Sequence, residues 1–343
     1  MKNGIYWHLG GKMKLEIQRY GLKNITTRLF YSAVITGSVV LFFMGNVLAE
    51  DNGIPVDTSQ YAKRQVLSDF TVAPCPDNPR SLTQINGTLY RHTTGPGLAV
   101  HSGLVLITKD GAVVIDPAMT CTATWLRNEI KHRFNVPVKY VIYTHAHADH
   151  ISGSQIFKED GAIVVAHKNA IEPIVGEKLP VPVPDRIFDR DMTITLGGET
   201  VKLHYVAASH SNSMIMVLFP RYKALQCTDV CESHSMPYND FIDFYYDGWI
   251  ETLNWVLEQD VDVIDVGHYT PAKKEDQRAL RDYMVELHQQ VLDLVRQGQS
   301  WDQLYRNVKF SDETKKWIGY EQMRILNIMG MYRWVSNHRR GEW

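Results

Sequence analysis

Residues 144–150 read Thr-His-Ala-His-Ala-Asp-His, which sets His145, His147, Asp149 and His150 within six consecutive positions. Imidazole and carboxylate are the ligands that suit zinc, iron or manganese at neutral pH. A catalytic site of that kind takes three protein ligands and keeps a position open for water. A single histidine is more often a satisfied core or surface residue than a ligand. Four such groups crowded together behind an apolar run are different, because burying them unpaired is costly. A divalent ion held there lowers the pKa of its water from 15.7 toward about 7 and so supplies hydroxide without a separate strong base. The chemistry anticipated is therefore metal-assisted hydrolysis. One such run cannot complete two sites, so further histidines must come from elsewhere in the chain.

Residues 138–143, VKYVIY, are β-branched and aromatic and predict a short buried strand whose carboxyl end carries the run. Alternate residues leaving a strand point the same way, so His145 and His147 can converge on one ion while Asp149 and His150 turn to a neighbouring position. Upstream, residues 103–108 and 112–115 predict two strands joined by Lys-Asp-Gly, followed by a helix over 124–133. Downstream come a helix at 154–158, strands near 161–166, 193–195, 201–206, 214–219, 224–226 and 263–266, and a helix over 249–258. Strands with interposed helices, twice over, predict an α/β fold, two sheets face to face with helices outside: an αββα four-layer sandwich with the ligands along one edge. Leu280, Met284, Leu287, Val291, Leu294 and Val295 share one helical face, which predicts an amphipathic helix over 275–297. With further helices at 300–306 and 314–337 this makes an added C-terminal helical segment that packs on the core and forms a wall of the cleft or a dimer contact.

The His145-x-His147-x-Asp149-His150 run resembles the signature of the metallo-β-lactamase superfamily, and three later segments fall in that family's order: Val-Ala-Ala-Ser-His-Ser at 206–211, Leu-Gln-Cys-Thr-Asp at 225–229, and Val-Ile-Asp-Val-Gly-His at 263–268. The likeness runs from about Gly97 to Pro271, roughly half the chain. It implies that His145, His147 and His210 hold one metal, that Asp149, His150 and His268 hold a second, and that Asp229 bridges. Zn2+ is the metal implied, two per chain, with iron as the other possibility. Asp149 is in addition the catalytic group that orients the hydroxide and relays its proton. Asp116 matches a family aspartate that supports the site by hydrogen bonding. Two departures stand out. Ala208-Ser-His-Ser replaces the family's usual Pro-Gly-His-Thr, and Thr228 stands where glycine usually precedes the bridging acid. The first class of zinc β-lactamases carries cysteine at the place of Asp229, and here Cys227 and Cys231 flank it. The resemblance implies cleavage of an ester, lactone, thioester or amide of a small molecule. The alternatives are a zinc β-lactamase and, in another reaction class, a mononuclear iron sulfur dioxygenase.

Lys23 and Arg28 precede a largely apolar stretch from Leu29 to Leu48, and Val47-Leu48-Ala49 before Glu50-Asp51 has the form of a cleavage site. Residues 1–49 therefore read as an export signal, or as a membrane anchor if uncleaved. The expected location is outside the cytoplasm, in the periplasm. Residues 50–80, polar and proline-containing, are expected to be poorly structured, 81–272 to form the catalytic domain, and 273–343 to pack on it. Charge excludes one class of partner: 36 Lys and Arg nearly balance 38 Asp and Glu, and no long basic run lies outside the amino terminus, so no nucleic acid is expected. Cys75, Cys121, Cys227 and Cys231 leave every pairing open. The aromatic run FIDFYYDGW at 241–249 reads as core packing plus a loop, with a lid over the metals as the alternative. His92, His101, His167, His204 and His234 are taken as ordinary histidines, His101 being the one placed to reach the cleft.

Overall fold

The computed structural model describes residues 49–61, 77–96, 100–241 and 243–338. The export segment expected at 1–49 lies outside the described residues, apart from Ala49, as does Cys75. Among the described residues no helix is long and apolar enough to cross a membrane.

In chain order the elements are β1 (Glu50–Asp51), β2 (Ile54–Pro55), β3 (Arg80–Asn86), β4 (Leu89–Thr94), β5 (His101–Thr108), β6 (Gly111–Ile115), α1 (Thr120–Phe134), β7 (Val138–Ile142), α2 (Ala148–Ile151), α3 (Ser154–Glu159), β8 (Ile163–His167) and α4 (Ile171–Gly176). Then follow β9 (Arg186–Phe188), β10 (Asp191–Leu196), β11 (Glu199–His204), β12 (Met216–Phe219), β13 (Ala224–Gln226), α5 (Tyr246–Glu258), β14 (Val263–Asp265), α6 (Lys274–Arg296), α7 (Trp301–Asn307) and α8 (Tyr320–His338). One sheet has the order β2-β9-β8-β7-β6-β5-β4-β3 and the other β1-β10-β11-β12-β13-β14. β6, β7, β8 and β9 run parallel, as do β13 and β14, and the remaining pairs are antiparallel.

Strand alternation sorts the apolar residues into three layers. Leu104, Leu106, Val113, Ile115, Tyr140 and Ile142 face the other sheet, where Ile194, Val201, Leu203, Val217 and Phe219 meet them. Their neighbours Val105, Ile107, Val114 and Val141 face outward and pack under Leu126 and Ile130 of α1 and Phe157 of α3. On the far side Met216, Leu225 and Ile264 are covered by α5, α6 and α8 through Leu253, Leu280, Met284, Leu287, Ile328 and Met331. This is the expected αββα sandwich, and the C-terminal helices share its core.

Two expectations need correction, and one element was missed. Residues 50–55 are not poorly structured: β1 pairs with β10 and β2 with β9, extending both sheets at their edges. The hairpin β3–β4 was not read from the sequence, although Gly87-Thr88 turns it and Gly87 takes the left-handed φ of 52° that such a turn favours. The helix expected over 314–337 is split: a short 3-10 turn at Thr314–Lys316 ends at the extended Trp317, and Gly319 at φ 78° precedes α8, which starts at Tyr320.

α6 is tied to the segment following the candidate bridging acid. Gln277 accepts from Glu232 N at 3.0 Å and donates to Glu232 O at 2.8 Å, and the Ser235 hydroxyl donates to the buried Glu232 carboxyl. Burial pushes that carboxyl up to about 8. Glutamate titrates near 4.5 when unfolded, so the folded state holds an extra proton between these values. Glu232's contribution to stability is therefore present below about pH 4.5 and lost as pH rises toward 8. Urea unfolding across that window is expected to show stability falling by up to about 1.4 kcal/mol per pH unit, and Glu232→Gln is expected to remove that part of the slope; an unchanged slope would refute the assignment.

Candidate metal centre

The ligand candidates arrive from strand ends along one edge. β7 ends three residues before His145, which is followed by His147 and by Asp149 and His150 on α2. His210 lies in the loop after β11, and the parallel pair β13–β14 delivers Asp229 and His268 side by side. Cys227 N and Asp229 N bond to Asp265 O and Val266 O at 2.8 and 3.1 Å, so the two loops leave the sheet in register. Asp229 sits at the apex of a tight turn with φ 60°, closed by Val230 N to Thr228 O at 2.7 Å and by a Cys227–Cys231 disulfide. Cys121 is disulfide-bonded as well.

All seven expected ligands come together. One group that could hold an ion consists of His145, His147, His210 and Asp229, a second of His150, Asp229 and His268, and a third of His101, Asp149 and His268. Asp229 Oδ2 lies 3.4 Å from His145 Nε2, 3.4 Å from His210 Nε2 and 3.0 Å from His150 Nε2, while its Oδ1 lies 3.1 Å from His268 Nε2. Asp149 Oδ2 is 3.2 Å from His150 Nε2 and 3.8 Å from that of His268. Its further partner is His101 Nε2 at 3.3 Å, a residue the sequence left as an ordinary histidine near the cleft. His101 and His268 also face one another across a backbone bridge. His234, by contrast, pairs with Asp276 at 2.8 Å, His167 stacks on Tyr205, and His204 stacks on Trp255, all away from the cluster.

The donor set fits a cation. His145 Nε2, His150 Nε2 and Asp229 Oδ1 are buried without a hydrogen bond although acceptors or donors stand close by, as lone pairs aimed at a common point would be. His147 Nδ1 and His210 Nε2 lie 3.1 Å apart, a hydrogen bond when one of them carries a proton and a spacing that suits two ligands of one ion when neither does. Burial pushes His210 down to about 4 and, with His147 and His150 beside it, holds His145 well below the ordinary histidine value, so both are neutral as metal binding requires. Burial acts the same way on His150, but Asp229 and Asp149 outweigh it and raise that imidazole. The field that favours a proton there equally favours a divalent ion. Burial alone would raise Asp149, yet His150 and His101 hold its carboxyl far below the usual range, so it stays ionised.

The partners behind the ligands fix their tautomers. The Thr144 hydroxyl donates to Asp116 Oδ2 at 2.6 Å and so accepts from His145 Nδ1 at 3.0 Å, leaving Nε2 free. His268 Nδ1 donates to Val100 O at 2.9 Å. Asp116, at φ 45° and fully buried, also accepts from Thr144 N at 2.8 Å and from the Thr228 hydroxyl at 3.0 Å. Thr228 in place of glycine thus joins the Asp229 turn to the aspartate under the histidine run. Gln226 continues the chain, donating to Thr228 Oγ1 at 2.9 Å and accepting from Leu104 N at 2.9 Å.

Two supporting elements were missed in the sequence. Asp243 Oδ2 lies 3.0 Å from His147 Nε2 and so directs the Nδ1 lone pair inward, yet an exposed acid inside an aromatic run carries no pattern that announces this. Asp243→Asn is expected to weaken metal affinity by about 10- to 100-fold, read by competition with a chromogenic chelator; unchanged affinity would show the pair to be incidental. The other is a buried cross-sheet ion pair. Arg91 Nε donates to Asp265 Oδ1 at 2.6 Å and its Nη2 to Ser102 Oγ and Tyr269 O, each at 2.7 Å, while Ser102 Oγ donates to Asp265 at 2.9 Å. Arg91 thereby grips both ends of the loop that presents His268.

Of the aromatic run, Phe241, Tyr246 and Trp249 are buried in the core beneath the C-terminal helices, so core packing accounts for most of it.

The family model of the metallo-beta-lactamase superfamily matches residues 95–268. Among curated proteins, the metallo-beta-lactamase type 2 of Bacillus cereus is 29% identical over 196 residues, 55% of this chain and 76% of that protein. Two solved structures share the fold. A metallo-beta-lactamase from Pontibacter korlensis covers 60% of this chain and 99% of its own length at TM-score 0.54 and 21% identity. A double mutant of the sec-alkyl sulfatase PisA1 covers 76% of this chain and 51% of its own length at TM-score 0.65 and 18% identity.

Proposed function

The chain belongs to the metallo-beta-lactamase superfamily and is a metal-dependent hydrolase, and from that premise we propose that it is an exported enzyme that uses two zinc ions to cleave an acyl-type bond (ester, lactone, thioester or amide) of a small molecule. The observation that carries this reading is the pair of ligand groups sharing Asp229, His145/His147/His210 on one side and His150/His268 on the other. Divalent ions held by these residues would supply an acidified water, with a pKa of about 7, and electron withdrawal from an acyl carbonyl. Asp149, whose side chain is 45% exposed and therefore reachable from solvent, is placed as an ionised acceptor that orients the attacking water. His101 and His150 hold that carboxylate ionised and aimed into the cleft. Thr144 and Val100 O keep His145 and His268 in the tautomers that present Nε2.

Support for export comes from the apolar stretch at 29–48 and from the disulfide state of Cys121, Cys227 and Cys231, which suits an oxidising compartment. The complete second group weighs against the one-iron dioxygenase. A β-lactam substrate is the second reading, favoured by the likeness to the Bacillus cereus enzyme. The test is a screen of chelator-stripped and zinc-reloaded protein against nitrocefin, lactones, thioesters and aryl esters. Zinc-restored turnover of acyl substrates other than nitrocefin supports the proposal, and turnover of nitrocefin alone moves the enzyme to the β-lactam reading. No zinc-dependent turnover in any class contradicts both.

A further inference from the structure

A cleft of about 520 Å³ opens between Asp240, Phe241, Asp243, Phe244 and Tyr245 on one side and the last turns of α8 on the other. This is within the size of clefts that hold small ligands. Its walls are the rings of Phe241, Phe244, Tyr245 and Trp334. It begins beside the metal centre, because Asp243, which lines it, bonds His147 at 3.0 Å. A ladder of edge-on rings joins the two places: Trp334 to Phe244 at 5.5 Å, Phe244 to Trp249 at 5.5 Å, and Trp249 to His210 at 5.8 Å.

The walls are fixed before any ligand arrives. A Cβ at Gly330 would stand 2.3 Å from Asp240 O, so the α8 backbone lies directly on the loop. Asn327 Nδ2 donates to Pro237 O at 2.9 Å and to Asn239 O at 2.7 Å, and its Oδ1 accepts from the Tyr283 hydroxyl at 2.8 Å. The charges are committed too. Arg333 Nη1 donates to Asp240 Oδ2 and Nη2 to Asp240 O, each at 2.7 Å, which leaves the Asp243 carboxylate as the excess charge at the rim.

We propose that this cleft is a substrate subsite for an uncharged aromatic ring, held edge-on and face-on by Phe244, Tyr245 and Trp334 while the bond to be cleaved reaches past Asp243 to the metal centre. The assignment rests on the hydrolase reading for the word substrate, and on the cleft alone for the ring. Preformed aromatic walls recognise a ring with little ordering cost, and the net negative rim repels an anionic one. The C-terminal helix, which lies outside the span matched by the family model, would then decide which acyl compounds are accepted.

The test is a calorimetric or ligand-observed NMR titration of the full chain, metal-free and zinc-loaded, with N-benzylacetamide, N-butylacetamide and phenylacetate. N-benzylacetamide is expected to bind saturably in both metal states and more tightly than the other two. Trp334→Ala is expected to weaken it by about threefold to tenfold. Asn337→Trp, at an exposed position lining the cleft, is expected to block it without disturbing the fold. Equal binding of N-butylacetamide or phenylacetate, or wild-type affinity in both variants, would overturn the subsite. Zinc-loaded protein that binds the ring and hydrolyses nothing would sink the hydrolase reading and leave the ring site standing.

Discussion

Asp229→Ala is expected to abolish zinc-dependent hydrolysis and to leave the chain unable to hold two ions. Both ligand groups use this carboxylate, with Oδ2 toward His145, His210 and His150 and Oδ1 toward His268, so its removal takes a ligand from each. The loss should exceed the about 10- to 100-fold typical of a residue that merely supports a ligand. The fold should survive, because Asp229 holds its turn through backbone bonds and the flanking disulfide while its side chain makes no structural hydrogen bond outside the cluster. Zinc content and hydrolysis measured on the same preparation, with circular dichroism as the control, decide the matter. Retention of full zinc and activity would remove Asp229 from the site.

The second large effect is on stability. Arg91→Met is expected to destabilise the protein by about 3–5 kcal/mol, the cost of leaving a buried carboxylate without its cation. Asp265 has no exposed side-chain surface and its partners are Arg91 and Ser102, so nothing replaces the guanidinium. Arg91→Met combined with Asp265→Leu should be much milder, since removing both charges also removes the desolvation cost. The double variant separates two roles: a stable protein with weakened metal binding would show that the ion pair positions His268 through Asp265 and Tyr269. Urea unfolding reads the first effect and zinc affinity the second. A loss under about 1 kcal/mol in Arg91→Met would contradict the burial argument.

The site was legible in the sequence to the extent that its chemistry is local. His145, His147, Asp149 and His150 share one strand end, Asp229 and His268 follow the short strands β13 and β14, and His210 lies six residues past the alternating strand β11. Strand alternation likewise announced the layers, with Leu104 and Leu106 turned one way and Val105 and Ile107 the other. What escaped were contacts between residues far apart in the chain. Arg91 and Asp265 are 174 residues apart, and a lone arginine in a polar strand signals no partner. Asp243 looked like a loop acid, and His101 found its place only when β5 was laid beside the His268 loop. Residues 50–55 pair in two-residue strands and are pinned by Asp51 to Tyr140 and by Asn52 to Thr193 N, contacts too distant in the chain to leave a local pattern. The Cys227–Cys231 pairing depended on the turn at Asp229, which no spacing rule supplies.

Elemental analysis of the purified full chain, dialysed against trace zinc, tests the central claim most directly. The account predicts about two zinc ions per chain, falling together with hydrolysis when a chelator is added and returning with zinc. A chain that holds one iron and consumes oxygen, or that retains no metal at all, would contradict it.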